Sequence, residues 1–319
     1  MAGEYARLLA TGGPVLADGA VNTRVDHGTP IDLHPIVKSA GALVDPAAAR
    51  VVRAIYASYV GVARGFGLPI VLTTATSRTD PDRLRAAGFP VGGADDLNLR
   101  FVELLTGLRD EADDVTVLVA GAVGAANDAY RPEQALDVDA AEEHHSRQAR
   151  LLAGTGCDLV MAAPFPSVAE ATGAARALAG LGLAYTVAFV LDRQGRVLDG
   201  TPLAEAVRRL DAAVDPPPVN YLIQCVHPRV AAVGLAALAA DDPALLARVS
   251  GYKGNSADLS TDALDASERL HGDEPEPWGE AVAGLREQFG TQLLGGCCGT
   301  DERHLLSLAV RLCRDAPGS

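Results

Sequence analysis

The sequence predicts a single closed (β/α)₈ TIM barrel, and two observations carry that prediction. Short apolar runs alternate with helical patterns from Val15 to the end of the chain. Eight such units in roughly 300 residues match the repeat number and size of this fold. An open, doubly wound sheet is the alternative, but no glycine-rich dinucleotide fingerprint follows the first run. We therefore treat residues 1–319 as one barrel domain.

The predicted strands are short apolar runs, which are typical of strands buried on both faces. In chain order they are Val15–Ala17, Pro69–Thr73, Val115–Ala120, Leu159–Ala162, Tyr185–Val190, Val219–Gln224, Leu246–Gly251 and Gln292–Leu294.

Helices are predicted where apolar residues recur every three or four positions. These segments are Ala47–Ala63, Ala140–Gly154, Ser167–Gly180, Leu203–Val214, Pro228–Ala240, Pro277–Phe289 and Glu302–Cys313. Ser167 followed by Glu170 is a capping-box signature. Two long segments, Thr76–Asn98 and Gly251–Glu274, follow strands and either cover the catalytic end of the barrel or decorate its surface.

Composition and charge narrow the class of partner. The net charge is −14 and the pI about 4.9, so no basic surface is available to neutralise the phosphates of a nucleic acid. The longest apolar runs, such as Val233–Ala240, are too short to span a membrane, and no signal peptide is visible. Five cysteines without a secretion signal indicate free thiols in the cytoplasm. Monomer and homodimer both stay open.

Three cysteines follow predicted strands. Cys225 ends the sixth strand, while Cys297 and Cys298 follow the eighth after two glycines. Because the carboxyl ends of all barrel strands meet at one rim, we expect these thiols to converge there. Three thiolates can hold Zn²⁺ and leave its fourth position open, as in a catalytic site. The adjacent pair alone is also compatible with small buried residues or a vicinal disulfide. Cys157 and Cys313 are predicted to fill the core.

Such a site suits the activation of a thiol. A free thiol has a pKa near 8.5 and is mostly protonated at neutral pH, whereas a thiol that coordinates a metal loses its proton. We therefore expect a substrate thiol to occupy the open position and to attack a methyl group held in line.

The cysteine motifs resemble those of the zinc-dependent homocysteine S-methyltransferases. The likeness rests on Gly295-Gly296-Cys297-Cys298-Gly299-Thr300 with His304, and on Cys225-Val226-His227-Pro228, and it extends from Val15 to about Val310. It implies a (β/α)₈ barrel, zinc on the three cysteines, and transfer of a methyl group to homocysteine in methionine biosynthesis. Little of the chain remains for a cobalamin or folate module. The donor is therefore expected to be small and diffusible, such as S-methylmethionine, S-adenosylmethionine or a betaine.

Three further residues are candidates for binding the substrate. Asp18 stands where the family has an Asp-Gly-Gly motif and would bind an ammonium group; its alternative is a helix or loop cap. Thr76, in a threonine-rich stretch after the second strand, would hydrogen-bond a carboxylate or cap a turn. Asn255 resembles a family asparagine after the seventh strand and would touch the acceptor, order the covering segment or simply form a turn.

The sequence also departs from the family pattern. Ala163 occupies the position of a glutamate that helps to hold the amino group of homocysteine, and Gln224 replaces an asparagine. Losing that charge-assisted hydrogen bond is worth roughly 1.5–3 kcal/mol. The alternatives are therefore a different thiol acceptor, homocysteine held in an unusual way, or the reverse demethylation. A non-catalytic zinc-binding or thiol-sensing barrel is a further alternative.

Overall fold

The computed structural model describes residues 3–258 and 272–314. Its centre is a closed barrel of eight parallel strands in chain order, in which the last strand pairs with the first. This confirms the predicted TIM barrel. The strands are β1 Val15–Ala17, β2 Ile70–Thr73, β3 Val117–Val123, β4 Leu159–Phe165, β5 Ala184–Phe189, β6 Tyr221–Gln224, β7 Gly251–Gly254 and β8 Leu293–Gly296.

Helices surround the barrel, and every predicted helix is present with ends within three residues of the prediction. In the described ranges the α-helices are α1 Glu4–Ala10, α2 Asn22–Gly28, α3 Pro46–Phe66, α4 Pro81–Ala86, α5 Leu97–Asp110, α6 Val138–Ala153, α7 Val168–Ala179, α8 Leu203–Ala213, α9 Pro228–Asp241, α10 Pro275–Phe289 and α11 Glu302–Arg314. Short 3₁₀ helices cover Ser39–Val44, Pro132–Gln134 and Pro243–Arg248.

Helix α3 illustrates how local sequence sets these boundaries. The Asp45 carboxylate accepts hydrogen bonds from the N–H groups of Ala47 and Ala48, which would otherwise lack partners in the first turn. The helix ends at Gly67, whose φ of 62° lies in the left-handed region that glycine adopts without strain. Neither α4 nor α5 was predicted. Helix α4 lies inside the predicted loop Thr76–Asn98, and α5 begins at its end.

The predicted seventh strand, Leu246–Gly251, is wrong. Its first three residues belong to the 3₁₀ helix Pro243–Arg248, and β7 begins at Gly251, where the prediction ended. Strand β7 reads Gly-Tyr-Lys-Gly and contains the buried Lys253. A search for apolar runs passes over such a strand, because the burial of its lysine depends on a partner elsewhere in the chain. Residues 259–271 of the predicted segment Gly251–Glu274 lie outside the described residues.

The capping box before α7 is only half formed. The Ser167 hydroxyl accepts a hydrogen bond of 3.2 Å from the Glu170 N–H, as predicted. The Glu170 carboxylate does not return to Ser167. It is completely buried and accepts a 2.7 Å hydrogen bond from the Ala126 N–H, in the loop after β3. Glu170 thus helps to hold a loop at the carboxyl end of the barrel.

The lower part of the barrel is filled with side chains. Tyr5 of α1 is fully buried, belongs to the cluster of interior residues and donates a 3.0 Å hydrogen bond to the Asn220 side-chain oxygen. Aliphatic side chains such as Val15, Leu118 and Leu293 belong to the same cluster. The interior is therefore a packed core, and one cavity opens toward the carboxyl ends of the strands. No helix among the described residues is both long and apolar enough to cross a membrane.

Candidate active site

The three cysteines predicted as metal ligands lie together at the carboxyl ends of β6 and β8. Cys225 and Cys297 are separated by 2.8 Å between sulfur atoms, and Cys297 and Cys298 by 4.0 Å. None of the five cysteines, all of which lie in the described ranges, forms a disulfide. Cys157 is buried in the core and Cys313 packs against it, as predicted.

The backbone around Cys225 is held firmly in an unusual conformation. Cys225 has a φ of 58°, in the left-handed region that few residues other than glycine adopt. Its N–H donates to the Lys253 carbonyl at 2.9 Å, and its own carbonyl accepts from the Asn255 side-chain amide at 2.9 Å. These bonds keep the Cys225 side chain on the cavity wall, because they fix the turn that follows β6.

The glycines before Cys297 allow a close approach of backbone to backbone. A Cβ atom at Gly295 would collide with the carbonyl of Ala17 on β1, and one at Gly296 would collide with the Thr300 side chain. The Cys297 N–H donates a 2.7 Å hydrogen bond to the Gly254 carbonyl of β7. The paired cysteines can therefore stand directly above the seam between β8 and β1.

The close contact between the two sulfur atoms shifts the pKa values of Cys225 and Cys297 in opposite directions. Hydrogen bonds from Cys225 and Cys298, together with the nearby Lys253 ammonium group, hold the pKa of Cys297 well below its usual range, although burial opposes them. The pKa of Cys225 is raised, because Cys225 donates its proton to Cys297 and is itself buried. Cys297 is therefore the preferred thiolate of the cluster.

The donor set fits zinc in kind, since soft thiolates are the ligands that zinc prefers over magnesium or calcium. Bonds of about 2.3 Å at tetrahedral angles place ligand sulfurs roughly 3.8 Å apart. The separation of 4.0 Å between Cys297 and Cys298 agrees with that spacing, whereas Cys225 and Cys297 would have to move apart by about 1 Å. Over residues 3–258 and 272–314, no three His, Cys, Asp or Glu side chains are already arranged to hold a metal.

A cavity of about 280 Å³ opens beside the thiols. Asp18, predicted to bind a substrate ammonium group, lines it but is already paired. The Asp18 side chain is 1% exposed and forms an ion pair with Lys253, which is 5% exposed. Its second oxygen accepts a 2.7 Å hydrogen bond from the Thr73 N–H. Burial raises the pKa of Asp18, and the Lys253 ammonium group opposes that rise.

Thr76 and Asn255 do not line this cavity. Thr76 is fully buried, and its hydroxyl hydrogen-bonds the Thr74 hydroxyl at 2.7 Å and the Ala122 carbonyl at 2.9 Å. Asn255 supports the carbonyl of Cys225 as described above. The structure therefore gives both residues a supporting position in the wall, and their contact with substrate stays a prediction.

The structure adds residues to the site that sequence reasoning missed. Lys253 was passed over with the true β7. Tyr130, from the loop after β3, lines the cavity together with Cys225. Burial raises the pKa of Tyr130, and the neighbouring thiols raise it further. No local pattern singles out a tyrosine in a long loop, so only the fold could reveal it.

The two positions that depart from the family pattern both face the cavity. Ala163 contributes only a methyl group. Gln224 contributes a side-chain amide whose oxygen is buried and has no hydrogen-bond partner among the described residues.

His227, which follows Cys225 closely, caps α9. Its ring accepts a 3.3 Å hydrogen bond from the Arg229 N–H and contacts the Asp273 carboxylate at 3.0 Å.

A parallel barrel with thiols and paired charges at the carboxyl ends of its strands is an enzyme of the (β/α)₈ class. The chain belongs to the homocysteine S-methyltransferase family, because the model of that family matches residues 15–312. It is accordingly an S-methyltransferase.

Solved structures agree with this fold. The metallated form of the homocysteine methyltransferase MmuM from Escherichia coli superposes with a TM-score of 0.72 at 24% identity, over 96% of this chain and 98% of that one. The oxidized form of the same protein gives a TM-score of 0.73 at 22% identity, over 93% and 96% of the two chains. No curated protein sequence matches the chain closely enough to count as a relative.

Proposed function

We propose that the protein transfers a methyl group from a small sulfonium or ammonium donor to homocysteine, giving methionine, with zinc held by Cys225, Cys297 and Cys298. The observation that carries this proposal is the meeting of the three thiols on one wall of the cavity, with Cys297 favoured as a thiolate. Family membership and the metallated form of the similar MmuM protein support it. We place the protein in a reducing cytoplasm, because an odd number of cysteines suits that compartment.

Each part of the site has a task in this reaction. Zinc, when bound, would supply the positive charge that lowers the pKa of an acceptor thiol, so that this thiol is ionised at neutral pH. The Cys225 turn and the Gly295–Gly296 backbone fix the protein sulfurs. The Tyr130 hydroxyl adds a polar group near the three thiols. The ionised acceptor sulfur forms a bond to the methyl carbon while the bond from that carbon to the donor breaks, and the electron pair leaves with the neutral donor product.

The donor is proposed to be S-methylmethionine, S-adenosylmethionine or a betaine. Each carries its methyl group on a positively charged sulfur or nitrogen, so its departure as a neutral thioether or amine needs no general acid. The cavity of about 280 Å³ has room for small molecules only, which supports a diffusible donor.

The test uses zinc-loaded protein, homocysteine and each donor labelled with a trideuterated methyl group, under reducing conditions. We expect methionine that carries the label, at a rate far above that of metal-free protein. Cys298→Ser should lose zinc and activity together, while Cys313→Ser, which changes a cysteine remote from the cavity, should retain both. Stoichiometric zinc without methylation of homocysteine would favour a different thiol acceptor or donor, and stoichiometric zinc without turnover of any thiol would favour the thiol-sensing alternative.

A further inference from the structure

The side chains that line the cavity contain only one carboxylate among the described residues, that of Asp18. One of its oxygens is ion-paired with Lys253 and the other accepts from the Thr73 N–H. The Lys253 ammonium group also donates to the Thr73 hydroxyl at 3.0 Å. Both members of the pair are therefore engaged, and among the described residues that line the cavity no carboxylate is left over to accept hydrogen bonds from an incoming ammonium group.

The residues around Ala163 offer no other carboxylate to this cavity. Ala163 presents a methyl group, between Met161 and Pro164 on the same surface of the cavity. The unpartnered oxygen of Gln224 can accept one hydrogen bond, but it is neutral. A primary ammonium group taken from water into this site would lose hydrogen bonds without gaining a carboxylate partner, which is unfavourable, whereas the sulfonium or trimethylammonium group of a donor has no N–H groups to satisfy.

A cationic side chain, by contrast, is available. Arg78 lines the cavity, and its Nε donates a 2.9 Å hydrogen bond to the Ile36 carbonyl. That bond orients the guanidinium group, while its two terminal nitrogens have no hydrogen-bond partner within the described ranges. The nearby carboxylate of Asp80 is bonded to Arg83 at 2.9 Å and does not compete for them. A guanidinium fork of this kind matches a carboxylate, which it can bind with two parallel hydrogen bonds.

We propose that this enzyme recognises its acceptor by the carboxylate, through Arg78, and gains nothing from an α-amino group. The acceptor class is then the mercaptoalkanoates, thiols with a carboxylate at the other end, of which homocysteine is one amino-substituted member. This inference rests on the proposed methyl transfer to a thiol. It assigns Arg78 as the residue that selects thiols with a carboxylate. The amino group is not recognised, because Asp18 is already paired with Lys253.

The test compares three acceptors with one labelled donor: homocysteine, 4-mercaptobutyrate, which lacks the amino group, and 3-mercaptopropylamine, which lacks the carboxylate. We expect kcat/KM for 4-mercaptobutyrate to equal or exceed that for homocysteine. For 3-mercaptopropylamine it should be lower by about 10- to 150-fold, the factor expected from losing a charge-assisted hydrogen bond. A tenfold or greater preference for homocysteine over 4-mercaptobutyrate would overturn the proposal.

Two variants isolate the groups concerned. Arg78→Met should raise KM for both carboxylate-bearing thiols and leave 3-mercaptopropylamine unaffected, while Arg85→Met, an exposed arginine of the neighbouring α4, should change nothing. Gln224→Leu should affect homocysteine and 4-mercaptobutyrate equally. A selective loss with homocysteine would mean that Gln224 binds the amino group, and the proposal would fail.

Calorimetry of the thioether products separates this inference from the proposed reaction, since it needs no donor. We expect 4-(methylthio)butyrate to bind the zinc-loaded protein at least as tightly as methionine, and Arg78→Met to weaken both. If no thiol is methylated but this binding pattern holds, the proposed reaction fails and the recognition stands. If methionine binds tenfold or more tightly than its des-amino analogue, the recognition fails whatever the kinetics show.

Discussion

The side-chain amide of Asn255 donates a 2.9 Å hydrogen bond to the carbonyl oxygen of Cys225. Asn255 follows β7, and Cys225 follows β6, so the bond joins two neighbouring strand ends above the barrel. Cys225 has a left-handed backbone conformation, which costs free energy unless neighbouring groups hold it. The bond from Asn255 is one of those that do. The Trp278 indole donates to the Asn255 carbonyl at 3.2 Å and anchors the asparagine from behind.

Removing this bond should therefore loosen the turn that carries the Cys225 thiol. We expect Asn255→Ala to lower the free energy of unfolding by about 1–3 kcal/mol, because it leaves the buried Cys225 carbonyl without its partner. Zinc affinity should fall as well, since the ligand loses its fixed position. Urea unfolding and zinc titration measure the two effects, and Gln288→Ala on the exposed face of α10 is the control. Unchanged zinc affinity would mean that the Cys225 turn holds itself.

The Asp18–Lys253 pair joins β1 to β7 inside the barrel. Asp18→Asn or Lys253→Met alone should lower the free energy of unfolding by about 3–5 kcal/mol, because each leaves one buried charge uncompensated. The double variant should be far less destabilised than the sum of the two, since it leaves no buried charge behind. Urea unfolding of all four proteins gives the coupling free energy, and additive effects would show that the two groups do not depend on each other.

Tyr130 reaches the thiols from a loop that Arg83 and Glu170 hold. The Arg83 guanidinium donates to the carbonyls of Ala125 and Ala126 at 3.0 and 2.7 Å, so the base of the loop is well fixed. Tyr130→Phe should lower kcat/KM by about tenfold, because it removes a polar hydroxyl near the three thiols. Tyr185→Phe removes a hydroxyl that bonds the Pro216 carbonyl elsewhere and should leave the kinetics unchanged.

Asp301 contributes a pH-dependent part of the stability. Its carboxylate accepts from the Arg303 N–H at 3.0 Å at the start of α11 and contacts the His304 ring at 2.8 Å. Burial would raise the pKa of Asp301, but its hydrogen bonds to His304 and Arg303 prevail and lower that pKa below its usual range.

Because the folded-state pKa is depressed, the carboxylate stabilises the fold above its unfolded pKa of about 3.9, and this contribution is lost as the pH falls further. Asp301→Asn keeps a capping side chain but loses the charge. We expect it to be less stable than the native chain by up to about 1 kcal/mol at pH 7, with the difference shrinking between pH 4 and pH 3. Urea unfolding across this range measures it, and a difference independent of pH would contradict the assignment.

The barrel and the position of the thiols could be predicted from the sequence, and the reason is physical. Buried parallel strands are apolar throughout, and the carboxyl ends of all strands share one rim, so Cys225 and Cys297 meet whatever their separation in the chain. What it could not give were features that depend on pairing between distant residues. Lys253 is buried only because Asp18 lies opposite it, and that partner is 235 residues away.

The same limit explains the substrate residues. Asp18, Thr76 and Asn255 are all polar residues just after strands, which is where catalytic groups of a barrel stand. Whether such a side chain faces the cavity or the wall depends on which neighbour takes its hydrogen bonds. Thr76 and Asn255 are engaged by carbonyls in the wall, while Asp18 faces inward but is bonded to a lysine.

The site also stands across the seam at which β8 returns to β1. Cys297 extends from one side of that seam, and on the other side the Asp18 carbonyl accepts a 3.0 Å hydrogen bond from the Gly296 N–H. A ligand that binds residues on both sides of this seam therefore holds β8 and β1 together. Its binding free energy adds to the closure of the whole barrel, so that amide protons along Val15–Ala17 should exchange more slowly when the site is filled.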